Sequence, residues 1–327
     1  MGIYRFLLAV LVELSHQGIC FFGYQPGSVA VISFLLLSGY VMTFLVEKYY
    51  KNPFNPIGFY LDRSARLFPQ YIFYFTLSSI CIYFFKIHSI FLPQLDFGRW
   101  LLNIPILPLG YFMYWSNNDA IVMPQAWSLG LEMTFYLLIP WIIRYFSLPL
   151  ITILIVLSMT VFGAAFSGKI TPDWYGFRLL PGTLFMFLAG SLFYRKEGIY
   201  KILITFIFVT AGALLLLAYQ HDYIYKFTNI KEALIGILIG IPVLGILSKF
   251  RFSALDEFLG NLSYGIFLNH FMFIYLGDIF FPMVDHYTRV AIVMLASCLA
   301  ALASYFLVEV PALRWRHQFR KSLKPAH

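Results

Sequence analysis

Arg5 and His16 stand eleven residues apart in an apolar N-terminal run, with Glu13 between them. On a helix, eleven residues make about three turns, so both side chains return to nearly one face, about 16 Å apart along the axis. That face carries a guanidinium able to hold phosphate and an imidazole able to take a proton near neutral pH. Arg5 reads equally as a topology anchor, and His16 as a core histidine bonded to a neighbouring helix. Glu13 either pairs with His16 or faces water. Arg63 and Arg66, three apart, share a face if their segment is helical. Such a pair can grip a phosphorylated ligand bidentately, although membrane topology alone also accounts for it. Glu132 lies about two turns into an apolar run that opens with Trp127 and Ser128. A carboxylate there needs a partner, and an imidazolium such as His16 suits it. A later run holds Tyr264, Asn269 and a second intramembrane imidazole, His270. His88, His221, His286, His317 and His327 fall in loops or the tail and read as solvated. No spacing of His, Cys, Asp and Glu suggests a metal site, so no metal is expected, and Cys20, Cys81 and Cys298 suggest no disulfide framework.

The elements that must position these groups are membrane helices. Of 327 residues, 61% are hydrophobic, 20% aromatic and 12% charged. A soluble domain carries about 25% charged residues, so this chain has too little polar surface to cover a water-soluble globule. A spanning helix needs about 20 mostly apolar residues. Candidate spans fall at 4–24, 27–46, 69–87, 126–145, 149–166, 178–194, 199–219, 230–248, 257–277 and 288–310. The first is read as a retained helix, because it lacks a small-residue cleavage signature. The apolar stretch 97–114 is interrupted by Pro105, Pro108 and Gly110 and reads as a re-entrant or interfacial segment.

The basic residues choose the orientation, since loops rich in Lys and Arg stay in the cytoplasm. Ten spans with both termini inside leave 16 of the 23 Lys and Arg on the cytoplasmic side. Counting 97–114 as an eleventh span would move Arg195, Lys196 and Lys201 outside and erase that bias. The expected organisation is one transmembrane domain over 1–313 and a basic cytoplasmic tail over 314–327, anchored near anionic lipid.

Six segments, in order, resemble the integral membrane acyltransferase-3 family, the transmembrane acetyltransferases of bacterial glycans. Arg5 with His16 is similar to its basic-x10-His signature, and Val31 to Met42 resembles its "FFxLSGF" helix. Arg63-x-x-Arg66 before Leu67-Phe68-Pro69 resembles its cytoplasmic RxxR motif. Trp127-Ser128-Leu129 with Glu132, Phe135, Tyr136 and Pro140 is similar to "WSLxxExxFYxxxP". Ser263-Tyr264 through Leu268 and His270 resembles "SYxxYLxH", and Glu309-x-Pro311 resembles the closing "ExP". Any one of these is weak, whereas six in sequence along nearly the whole chain are specific.

The resemblance implies an all-α fold of about ten helices in the bacterial cytoplasmic membrane. It implies acetyl-CoA as donor and a hydroxyl of a cell-envelope glycan or lipid-linked sugar as acceptor. His16 would be general base or transient acyl carrier, with Glu132 orienting it and Arg63, Arg66 and Arg5 holding the donor phosphates. Glu13 departs from the family, where that position is usually apolar. No extracytoplasmic hydrolase-like domain, which some relatives carry, is expected. Membrane lipid is a partner, nucleic acid is not, and homo-oligomerisation is left open. The rival reading is a transporter or flippase for an envelope precursor, using the same buried charges. Such proteins often carry inverted repeats or paired broken helices, and no repeat is evident.

Overall fold

In hydrocarbon every backbone N–H and C=O must find a partner within its own segment, so a long apolar run has helix as its solution. The computed structural model describes residues 1–87, 89, 91, 97–114, 121–195, 198–220, 229–250 and 253–322. Twelve α-helices are present among them: α1 Gly2–His16, α2 Pro26–Leu45, α3 Pro56–Phe85, α4 Phe97–Leu101, α5 Trp127–Tyr145, α6 Leu148–Phe166, α7 Leu180–Arg195, α8 Gly198–Gln220, α9 Ile230–Leu247, α10 Ala254–Phe280, α11 His286–Ser304 and α12 Val310–Ser322. Among the described residues, eight helical stretches are long and apolar enough to cross a membrane; α1 (15 residues) and α10 (27 residues) are not among those eight. Each of the ten apolar segments proposed from sequence has a helix within it.

Their boundaries differ from those expected in three places. The first segment was expected to run to residue 24, but α1 stops at His16, where Gly18 turns the chain with φ +83°. His16 is therefore an exposed end residue and not a mid-span one. The third helix starts at Pro56, well before residue 69, so Arg63 and Arg66 lie on continuous α3. The stretch 97–114 is no spanning helix, in keeping with its interruptions at Pro105, Pro108 and Gly110: α4 is five residues long, and Leu107–Tyr114 is a kinked 3-10 stretch. The last segment continues through a π turn at Tyr305–Glu309 into α12, so residues expected as tail are helical up to Ser322. Residues 323–327 lie outside the described residues, as do His88, His221 and His327.

The helices fall into two compact units. The first comprises Met1–Ile19, Tyr60–Gly130 and Phe252–His327. In it, Asp256 near the start of α10 accepts hydrogen bonds from the N–H groups of Gly2 (2.8 Å) and Ile3 (3.0 Å), satisfying donors that a helix start leaves open. Asn269 joins α10 to α11 and α3: its amide donates to the Ser297 carbonyl (2.9 Å) and to Tyr74 Oη (3.3 Å). Tyr71 Oη donates to the Asn103 carbonyl (2.6 Å), which seats the broken 97–114 stretch against α3.

The second unit comprises Cys20–Phe59 and Leu131–Arg251. Its centre is the crossing of α2 and α7. A Cβ placed on Gly39 would stand 1.8 Å from the Phe187 carbonyl oxygen, and one on Gly190 would stand 1.9 Å from that of Leu36. Small residues at such crossings let backbones touch, and in lipid this contact replaces the hydrophobic drive of water-soluble packing.

Candidate active site

The first unit brings two of the predicted residues together. His16 Nδ1 is 2.9 Å from His270 Nε2, and His270 Nδ1 is 3.2 Å from the Ile266 carbonyl oxygen. A carbonyl only accepts, so the proton of neutral His270 sits on Nδ1 and its Nε2 is an acceptor. His16 must then donate through Nδ1, which leaves Nε2 of His16 as the basic nitrogen. His270 is fully buried and His16 is exposed, so the buried ring sets the tautomer of the accessible one. Phe271 closes the other side, its ring centroid 4.6 Å from that of His16.

His16 also lines a cavity of about 180 Å³, together with Gln17, Asp278, His286 and Arg289. Arg289 and Asp278 form an ion pair across it at 3.1 Å. The basic imidazole thus meets a space edged with hydrogen-bonding groups.

Arg63 and Arg66 sit elsewhere in the same unit. Arg66 pairs with Glu309, and its guanidinium lies 5.2 Å from the centroid of the Tyr264 ring. Arg63 pairs with neighbouring Asp62 (2.6 Å). Asp62 is fully buried and takes two further cations, Arg316 (2.8 Å) and Arg320 (2.7 Å), from α12. Sequence reasoning gave Asp62 no role and read Arg316 and Arg320 as a lipid anchor. Partners some 250 positions away leave no local signature.

The remaining candidates separate by surroundings. Tyr264 donates to the Leu67 carbonyl (3.0 Å), and Asn269 is knitted into the helix contacts described above, so both hold α10 in place. Glu13 neither faces water nor bonds His16: it is fully buried on α1, on the side of Ser297 of α11. Glu132 belongs to the second unit, where it accepts from the Ser38 hydroxyl. Ser128 turns its hydroxyl to the Gln125 carbonyl (3.2 Å), and Trp127 is half-buried beside it in the chain. Arg5 is half-buried on α1. Gln125, passed over in the sequence, donates to the Leu268 carbonyl two residues before His270 (2.7 Å).

Eight helical stretches among the described residues long and apolar enough to cross a bilayer define an integral membrane protein. The acyltransferase domain of the acyltransferase-3 family matches residues 3–309, and the chain belongs to that family of acyltransferases. A curated protein from Aquifex aeolicus (strain VF5), described as an uncharacterized protein, is 29% identical over 194 residues, covering 57% of this chain and 84% of the relative. No solved structure matches.

Proposed function

We propose that the chain is an O-acetyltransferase of the bacterial cytoplasmic membrane. It moves an acetyl group from cytoplasmic acetyl-CoA to a hydroxyl of a cell-envelope glycan such as O-antigen, capsule or exopolysaccharide. Ten spans with both termini in the cytoplasm follow if α1 and α10 cross beside the eight longer or more apolar helices.

One observation carries this reading. Helix α10 touches the arginine cluster at one level, through Tyr264 under Arg66, and the histidine pair at another, through His270. Six residues of helix separate them, about 9 Å along the axis. A donor with phosphates at one end and a thioester at the other suits a cationic grip and a base held at two levels of one helix.

In the proposed step, the acceptor hydroxyl enters the cavity beside His16 and loses its proton to Nε2 as its oxygen attacks the thioester carbonyl. The C–S bond then breaks, the thiolate takes the proton from the imidazolium, and CoA leaves as the thiol. General base catalysis of this kind contributes about 10² to 10⁴ in rate. Arg63, Arg66 and Arg5 hold the donor phosphates, and no step uses a metal.

The test is to incubate detergent-purified protein and its His16→Ala variant with acetyl-CoA labelled in the acetyl group and a panel of envelope glycans. Label on a glycan that depends on His16 supports the scheme. Label retained on the protein replaces direct transfer by an acyl-imidazole route. Absence of binding and turnover in a folded protein favours a transporter.

A further inference from the structure

Asp62 is shared by three guanidiniums: Arg63 at 2.6 Å, Arg316 at 2.8 Å and Arg320 at 2.7 Å. Arg66 stands close enough to feel the charge of Arg316, and it is paired with Glu309. Four guanidiniums thus converge on two carboxylates where little water reaches. Asp62 is fully buried, and the side chains of Arg316 and Arg320 are 12% and 13% exposed. Gathering like charges in such surroundings is costly unless something negative offsets them.

The helix that brings two of them has the sequence for this task. Arg316 and Arg320 are four apart on α12 and so share a face. Both turn that face onto Asp62. Arg316 spends Nε on Asp62, and its terminal nitrogens, the edge that grips phosphate bidentately, have no hydrogen-bond partner among the described residues. Asp62 therefore acts as a post that aims guanidiniums from α3 and α12 at one place.

We propose that α12 is part of the donor site: Arg316 and Arg320 complete, with Arg63 and Arg66, a site for a ligand carrying several phosphates. Taking that ligand to be the CoA end of the donor rests on the acetyltransferase reading above. The same phosphate chemistry is offered by an anionic lipid headgroup, and the experiment separates the two.

The full chain is placed in nanodiscs of phosphatidylcholine alone or with phosphatidylglycerol. Turnover and binding are then measured with acetyl-CoA and with its analogue lacking the 3′-phosphate, acetyl-dephospho-CoA. In the double variant Arg316→Gln with Arg320→Gln, the apparent KM for acetyl-CoA should rise about 10- to 100-fold, as expected for lost charge-assisted bonds. The wild-type preference for acetyl-CoA over the dephospho analogue should shrink. A merely structural role would not change that ratio. Arg316→Lys with Arg320→Lys keeps the charge and should keep part of the preference, and this pair carries the test if the glutamine variant misfolds.

An unchanged preference in both variants, with Arg63 and Arg66 variants still weakening donor binding, overturns the inference and leaves the acetyltransferase reading standing. A wild type that binds no CoA overturns both. Variants of α12 that keep the wild-type KM in phosphatidylcholine alone and alter it only when phosphatidylglycerol is present assign these arginines to lipid and also overturn the inference.

Discussion

His16 meets His270 at the same sequence offset, 254 positions, that separates Gly2 from its capping residue Asp256. Helix α1 therefore runs parallel to α10 in constant register, fastened at both ends. The base is not held by its immediate neighbours but by a helix-long alignment.

Replacing His16 by Ala should lower transfer by about 10² to 10⁴, the share a positioned general base supplies. CoA release measured beside membrane insertion checks this, and wild-type turnover in the variant would end the scheme.

His270 is a positioning residue, and two replacements probe it. In His270→Gln the amide oxygen can still accept from His16 Nδ1, so a fraction of kcat should survive. His270→Leu removes the acceptor and should fall by about 10²-fold or more, with donor KM little changed. Equal activity of the two variants would show that the tautomer is set some other way.

Arg66 and Glu309 should behave as one unit. Arg66→Ala leaves the buried Glu309 without its ion-pair partner, at a cost of about 3–5 kcal/mol. Adding Glu309→Gln should recover most of the thermal stability while donor binding stays weak. Additive losses of melting temperature in detergent would argue against the pairing.

Gly39→Ala or Gly190→Ala should each destabilise the second unit by about 1–3 kcal/mol or more, because the new methyl meets a backbone carbonyl and not a side chain that can turn away. Detergent melting curves report it, and a neutral result would mean that the crossing is looser than 1.8 Å implies.

Topology has its own probe in Cys20, a free and exposed thiol just beyond α1. With Cys81 and Cys298 replaced by Ala, an impermeant maleimide should label Cys20 from outside the cytoplasmic membrane. Labelling only after lysis would reverse the assigned orientation.

Much of the fold was legible because lipid leaves few options: an apolar run of this length is helical, and its ends need only composition and charge. The ends were less legible where one residue decides, as Gly18 does in ending α1. The candidate site was legible by residue type, since imidazole and guanidinium groups in apolar runs are conspicuous. Their partners were not. Asp62 lies beside Arg63 in sequence, yet its task comes from Arg316 and Arg320, which only the folded chain delivers. Glu132 was expected to seek an imidazolium, and the partner seen is the hydroxyl of Ser38. A hydroxyl in an "LSG" run gives no sign of which carboxylate it will meet.

The register between α1 and α10 makes the chain as strict about length as about identity. Deleting one residue between Gly2 and His16 would retract the imidazole by about 1.5 Å and swing it through about 100°, away from His270, while every remaining side chain kept its chemistry. Between those two anchors the sequence functions as a measured rod, and miscounting it would silence the base more surely than most misspellings.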